Sequence, residues 1–213
     1  GFARLRHLGV EGVPVVQAVK ALGRLDGWIK KRYDRIVENK TLDGNHLSST
    51  VALYLYCRSF YLKDRPVAQA HKKAFDYFVG QAKKHWLKVG SRQSQAHVAI
   101  ALHRLGDRQV PGDVIKSILE HSVTNEELGM FWRDTEHSWW WYRAPIETQA
   151  MMIEAFNEIT ADKDAVRECQ IWLIKQKQTQ AWKTTKATAD AVYSILLGGD
   201  NLLASTRLVE VSL

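Results

Sequence analysis

The feature that most constrains this chain is a change of texture between successive helical segments. From Ile146 to Ile159 nearly every face is apolar, with Ile146, Ala150, Met151, Met152, Ile153, Ala155, Phe156 and Ile159. A helix that is hydrophobic all round must be enclosed by others. From Ala165 to Lys175, Ala165, Cys169, Trp172 and Leu173 form one stripe and charges fill the rest. That is a helix with one face on a core and the other in water. Ala187 to Leu197 is again apolar on most faces. Inner, outer, inner is the rhythm of helical hairpins wrapped in two layers.

The same rhythm runs upstream. Pro14 suits a first helical turn, where its missing N–H would have no partner anyway. Val15, Ala18, Val19, Leu22, Leu25, Ile29, Tyr33 and Ile36 then keep a spacing of three to four, which predicts a long amphipathic helix ending near Glu38. The stretch ENKTLDGNH is turn chemistry, tightest at Asp43-Gly44. Ser48 or Ser49 is placed to cap the next helix, VALYLYCRSFYL, which is apolar on most faces and therefore inner. Pro66 opens an outer helix striped by Val67, Ala70, Ala74, Phe78, Ala82 and Trp86. Gly90 and Ser91 mark a stop and a start. Ala96, Val98, Ala99, Ile100, Ala101 and Leu102 make another inner helix, ended by Gly106, and Pro111 opens a short outer one carrying Val114, Ile115, Ile118 and Leu119. Inner segments thus recur roughly every 40 to 55 residues, the mark of helical-hairpin arrays. Four prolines and thirteen glycines in 213 residues leave few breaks, so the expected fold is all-α.

Composition narrows the partners. Hydrophobic content of 46% and charged content of 25% fit one globular domain with an ordinary core. No run approaches the ~20 apolar residues that span a bilayer, so no direct membrane insertion is expected. The net charge of +7 invites a nucleic-acid reading. However, Lys30, Lys31 and Arg32, Lys72 and Lys73, Lys83 and Lys84, and Lys175 and Lys177 fall on polar helix faces, and no nucleic-acid motif accompanies them. Cys57 and Cys169 lie within helices and in no CxxC, and are expected to be buried free thiols. The histidines are dispersed, with His97 and His103 on different helix faces and no HExxH motif, so neither a metal nor a cofactor is expected. Glu126-Glu127 and the Asp162/Asp164 pair read as complements to helix N-termini.

One segment breaks the rhythm. Gly129–Pro145, GMFWRDTEHSWWWYRAP, clusters aromatics without helical period. It is expected to be a hairpin-like excursion or an ordered loop over one end of the helical array. Pro145 restricts Ala144 to extended geometry. Trp139, Trp140 and Trp141 cannot all face one way in an extended chain. They are expected either to plug the end of the array or, with Tyr142, to contact a neighbouring domain. The tail Ser205–Leu213, rich in β-branched residues after a helix stop, reads as a strand. The opening GFARLRHLGV reads as the tail of a helix cut in the middle, which suggests a piece of something larger.

Three ordered motifs then carry a resemblance. Glu147, Thr148 and Ala150 fit an ETxAxxxxAL helix; Trp172, Leu173 and Gln176 fit WLxxQ; Thr185, Ala187, Thr188 and Ala191 fit TxATxxAxxAL. In this order and separation they resemble the thioester-domain region of bacterial α2-macroglobulin-like proteins. The likeness extends more loosely to Glu126–Trp132 and His97–Asp107. It implies an α/α toroid over residues 1–204, incomplete at its N-terminus, with residues 205–213 beginning a following β domain. It also implies a fragment of a broad-spectrum endopeptidase inhibitor, extracytoplasmic through its parent. Its partners would be the parent's other domains and the parent's target proteases.

The chemistry of that family is absent from this chain. Its thioester joins a cysteine to a glutamine three residues on. Cys57 is followed by Arg58, Ser59 and Phe60, and Cys169 by Gln170, Ile171 and Trp172. Some members place a transacylating histidine near the thioester; His46 is the one histidine in the corresponding loop, and its flanks match no such pattern. The resemblance therefore implies a structural or binding module, not an enzyme. A plain helical scaffold for protein–protein interaction shares every packing feature, and an α/α-toroid enzyme would need an aspartate-rich or Asp/Cys/His zinc motif that the sequence lacks.

Overall fold

Several helices in this chain begin where a side chain or a proline supplies what the first turn lacks. The computed structural model describes residues 1–135, 144–179, 182 and 184–197. Its helices run in the order α1 (Phe2–His7), α2 (Val15–Glu38), α3 (Ser49–Ser59), α4 (Gln69–His85), α5 (Arg92–Arg104), α6 (Gln109–Glu120), α7 (Pro145–Ala155), α8 (Lys163–Thr179) and α9 (Thr185–Leu197). Ser48 caps α3 by accepting from the Val51 N–H, and Ser91 caps α5 by accepting from the Ser94 N–H. Each satisfies one of the orphan donors of a first turn. Pro145 opens α7, with Ala144 extended before it. Between α6 and α7 lies a two-stranded antiparallel hairpin, β1 (Val123–Asn125) and β2 (Gly129–Phe131), in which Val123 pairs with Phe131. Among the described residues the fold is all-α apart from this hairpin, and no helix is long and apolar enough to cross a membrane.

Two layers are present from α2 to α8, but α9, expected to be enclosed, is half-exposed: it buries Ala187, Asp190, Ala191, Tyr193 and Ser194 and leaves Thr185, Lys186, Thr188, Ala189 and Val192 exposed. Every residue from Gln93 to Leu102 in α5 is buried, as is every residue from Glu147 to Ala155 in α7. α3 packs on α5, α5 on α7, and α7 on α9, while α4 packs on α2, α6 on α5, and α8 on α7. The inner helices run parallel. Arg104 at the end of α5 reaches Ser59 at the end of α3 and Glu158 just past α7, and Lys186 at the start of α9 lies 4.0 Å from Glu147 at the start of α7. Two apolar cores result. Ile29, Val51, Leu55, Phe78 and Leu102 lie in one, and Ile100, Ile118, Trp132, Met152, Phe156 and Leu173 in the other.

Several expectations need correction. The stripe of α2 carries Leu22, Ile29, Tyr33 and Ile36 inward, but Leu25 is exposed and Asp26 is buried in its stead. Asp26 accepts from Tyr54 Oη at 2.8 Å and Arg58 Nε at 3.0 Å, so an ion pair rather than a leucine ties α2 to α3. α4 starts at Gln69, not at Pro66. Arg65 is held in the connection from both sides, its carbonyl accepting from Arg58 and its guanidinium donating to the Val19 carbonyl. The segment Ile146–Ile159 is not one α-helix: α7 ends at Ala155 and a π turn, Phe156–Thr160, follows, closed by Ala161 at φ 52°. Asp162 does serve a helix start, accepting from the Ala165 N–H. Glu126 and Glu127 do not; they sit in the β1–β2 turn, where Asn125 accepts from the Glu127 and Leu128 N–H groups.

The aromatic excursion begins earlier than its composition suggests, because β1 precedes Gly129. Trp132 is its anchor: it is 1% exposed, donates from Nε1 to the Ile118 carbonyl at 2.9 Å and stacks on Phe156. Gln149 of α7 donates to the Met130 and Cys169 carbonyls, joining the hairpin to α8. Trp139, Trp140, Trp141 and Tyr142, and the tail 205–213, lie outside the described residues.

Gly129 has φ 77°, and a Cβ there would run into the Glu168 carbonyl of α8. Gly129→Ala combines left-handed strain with a backbone clash and is expected to cost about 2 kcal/mol or more. Ala150 is 1% exposed on α7, so Ala150→Leu is expected to cost about 1–3 kcal/mol by overpacking. Lys116→Ala on the exposed face of α6 should stay within about 0.5 kcal/mol. Urea unfolding of the three variants checks all of these, and equal small effects would contradict the layer assignment.

Candidate functional site

The parallel inner helices bring their C-terminal ends together, and that geometry sets the electrostatics of the site. A helix C-terminus carries partial negative charge, so several converging there call for cations. Arg104 in the last turn of α5 supplies one and Arg4 of α1 supplies another. Acidic groups converge on the same place, Glu154 from α7, Glu158 from the π turn and Asp190 from α9.

Glu154 is the centre. Its side chain is fully buried and is shared by three other helices: Tyr56 Oη donates at 2.7 and 2.8 Å, Arg104 Nη2 at 3.0 Å and Arg4 Nη2 at 3.4 Å. Arg104 also grips Glu158 through two nitrogens, Nε at 2.7 Å and Nη2 at 2.6 Å, and reaches Ser59 Oγ. Arg4 pairs through Nη1 with Asp190, and Lys186 closes on the other oxygen of Asp190 at 2.6 Å. Aromatic faces complete the enclosure. The Arg4 guanidinium lies 4.7 Å from the Tyr193 centroid and 5.8 Å from that of Tyr56; that of Arg104 lies 3.9 Å from Phe60. Such faces attract cations through the ring quadrupole.

Ionisation follows from this packing. Burial opposes charge on Arg4, but Tyr56, Glu154 and Asp190 outweigh it and hold the group above its ordinary pKa. Burial likewise opposes Arg104, and its bonds to Glu158 prevail. Burial and the neighbouring Glu154 push the Tyr56 phenol well up, so it remains a donor. His97, about two turns before Arg104 in α5, lies tilted 4.8 Å from the Tyr56 ring, and its Nδ1 has no hydrogen-bond partner among the described residues. Burial, then the charges of Arg4 and Lys186, push its pKa down to about 3.

Cys57 is half-buried and Cys169 buried, both free, and burial raises both thiols, which suppresses the nucleophilic thiolate. His46 is folded over its own turn, Nδ1 at 2.7 Å from Tyr77 Oη and Nε2 near Thr41, a loop-bracing role far from the charge cluster. Of the motif residues, Glu147, Thr148, Ala150, Trp172, Leu173, Ala187 and Ala191 are buried, while Thr185 and Thr188 face outward. The nitrogen of His7 and the carboxylates of Glu154 and Glu158 lie within 4.8 Å of one another, a metal-like grouping among the described residues. Arg4 and Arg104 already occupy the oxygens of both glutamates.

Sequence reasoning missed the cluster. The available signal was charge inside texture: Glu154 within an all-round apolar helix, and Arg104 and Asp190 in inner helices, each of which needs a buried partner. Comparison with family models, with curated proteins and with solved structures gives no match for this chain.

His97 generates a pH dependence. Its folded pKa lies below its unfolded one, so above about pH 6.5 both states are neutral and it contributes nothing. Below that the unfolded chain binds a proton the native state refuses, and stability falls by up to about 1.4 kcal/mol per pH unit towards pH 3. Urea unfolding at pH 7 and pH 5 should show the native chain losing on the order of 2 kcal/mol more than His97→Gln. Equal losses would mean that His97 is protonated or hydrated in the fold.

Proposed function

We propose that this chain is a non-enzymatic helical module of a larger protein, of the kind formed by the thioester-domain helices of bacterial α2-macroglobulin-like protease traps. The observation that carries the reading is the placement of the three motifs. The ETxA residues sit on the fully enclosed α7, WLxxQ on the outer α8, and TxAT on α9, which runs parallel to α7. A glutamate of the first motif and the helix of the third meet at the Glu147–Lys186 pair. Alternating enclosed and half-buried helices with parallel inner members are what an α/α toroid requires, and we assign that architecture on this basis.

A structural role is supported by the chemistry of the charged groups. Arg4, Arg104, Glu154, Glu158 and Asp190 satisfy one another through ion pairs and hydrogen bonds. The two thiols are shielded and have no glutamine at the third position. The module's contacts would be with other domains of its parent, with Trp139, Trp140, Trp141 and Tyr142 as the candidate surface. Inhibition of endopeptidases, and an extracytoplasmic location, would belong to the parent.

Two measurements test this. The chain should take up no labelled methylamine at Cys57 or Cys169, and covalent uptake at either would refute the reading of the thiols. The full-length gene product should block cleavage of a protein substrate by added endopeptidases. A parent that leaves several unrelated endopeptidases fully active would leave a plain interaction scaffold as the better account.

A further inference from the structure

α1 is attached to the rest of the molecule in an unusual way. None of its residues is buried, and Phe2 and Leu5 are each more than 40% exposed. A helix of six residues has little stability of its own. It is followed by a connection in which Gly9 (φ 80°) and Gly12 (φ 71°) adopt left-handed geometry, suited to a hinge. Two arginines and a histidine hold it; His7 packs edge-on against Phe60 and Tyr193, with Nδ1 3.3 Å from the Tyr193 hydroxyl. Arg6 pairs with Asp64 at the surface, where such pairs contribute little. Arg4 enters the protein.

The receptacle for Arg4 is built to a guanidinium's specification. Two carboxylates, Glu154 and Asp190, face its nitrogens. The Tyr193 ring centroid lies 4.7 Å and that of Tyr56 5.8 Å from its guanidinium carbon, the Tyr56 hydroxyl lies 3.1 Å from Nε and the Met151 sulfur 3.1 Å from Nη2. Every one of these groups comes from α3, α7 or α9, so the receptacle is assembled without α1. Beside it opens a groove of about 750 Å³ with Arg4 and Asp190 on its floor and Leu5, Leu8, Val192 and Leu196 among its apolar walls.

We propose that Tyr56, Glu154, Asp190 and Tyr193 form an arginine-recognition socket, that Arg4 fills it as a displaceable internal ligand, and that a second polypeptide presenting an arginine competes for it. Val192 and Leu196 of α9, the walls that stay in place when α1 leaves, would take the apolar residues flanking that arginine. The planar fork and aromatic stacking select a guanidinium over an ammonium, because only the fork can bond Glu154 and Asp190 at once while lying against the rings. Withdrawal of α1 swings about Gly9 and Gly12, so occupation of the socket from outside is coupled to release of α1.

The test empties the socket and offers it a free ligand. The full chain with Arg4→Ala is titrated with N-acetylarginine amide, with N-acetyllysine amide and with sodium chloride at matched ionic strength, and its melting temperature is followed. At roughly ten times its Kd the arginine amide should raise Tm by about 3–6 °C. The lysine amide and salt should do so much less. The native chain, with its socket filled, should not respond at these concentrations, and Arg4→Ala/Asp190→Asn should lose the response. If Arg4→Ala is unfolded alone, the arginine amide should restore its helical circular dichroism. No response or no restoration, or an equal response to lysine amide, or an equal response of the native chain, overturns the proposal.

Discussion

The carboxylate of Glu154 is the point on which the arrangement of the inner helices depends. Placing an ionised group at the middle of a protein costs several kcal/mol unless its charge and lone pairs are met. Here they are met by Tyr56 from α3, Arg104 from α5 and Arg4 from α1, so no single helix can satisfy it. An apolar core tolerates small rotations of one helix against another. A carboxylate with partners on three helices tolerates them less, because each rotation leaves a buried charge short of a donor. The register of the inner layer is thus specified by polar geometry, with the surrounding apolar contacts supplying most of the stability.

The same device recurs at the other end of the chain. Asp26 and Arg58, both buried, join α2 to α3 as Glu154 and Arg104 join α7 to α5. In each case an outer or neighbouring element is registered against an inner one by a charged hydrogen bond rather than by side-chain shape. The hairpin β1–β2 is registered differently. Gly129 lets its backbone approach α8, Gln149 bonds carbonyls on both, and Trp132 fills the space above Phe156. The Phe156–Thr160 π turn belongs to this region too, since it carries Glu158 towards Arg104 and Phe156 beneath Trp132.

Much of the fold was legible in residue order because its determinants are local. Periodicity located α2 and α5 closely and α3 and α6 more loosely, since α3 ends at Ser59 rather than Leu62 and α6 begins at Gln109 rather than Pro111, and Ser48 and Ser91 announced two helix starts. The burial of Ala165, Cys169, Trp172 and Leu173 along one stripe of α8 follows from spacing alone. What failed depends on distant partners. Leu25 and Asp26 exchange places because Arg58 lies opposite, and Pro66 does not begin α4 because Arg65 is held by Val19 and Arg58. The charge cluster was hidden for the same reason. Arg4 and Asp190 stand 186 positions apart, and nothing near either one names the other. A glutamate in an otherwise apolar helix showed that a partner was required, not which.

The central claim is that Glu154 and Arg104 act as one unit across the inner layer. A double-mutant cycle measures this directly: urea unfolding of the native chain, Glu154→Leu, Arg104→Leu and the double variant at pH 7. The account predicts a coupling of about 1–3 kcal/mol, with the double variant less destabilised than the sum of the singles. Additivity within about 0.5 kcal/mol would contradict it, and would mean that the inner helices are aligned by apolar packing alone.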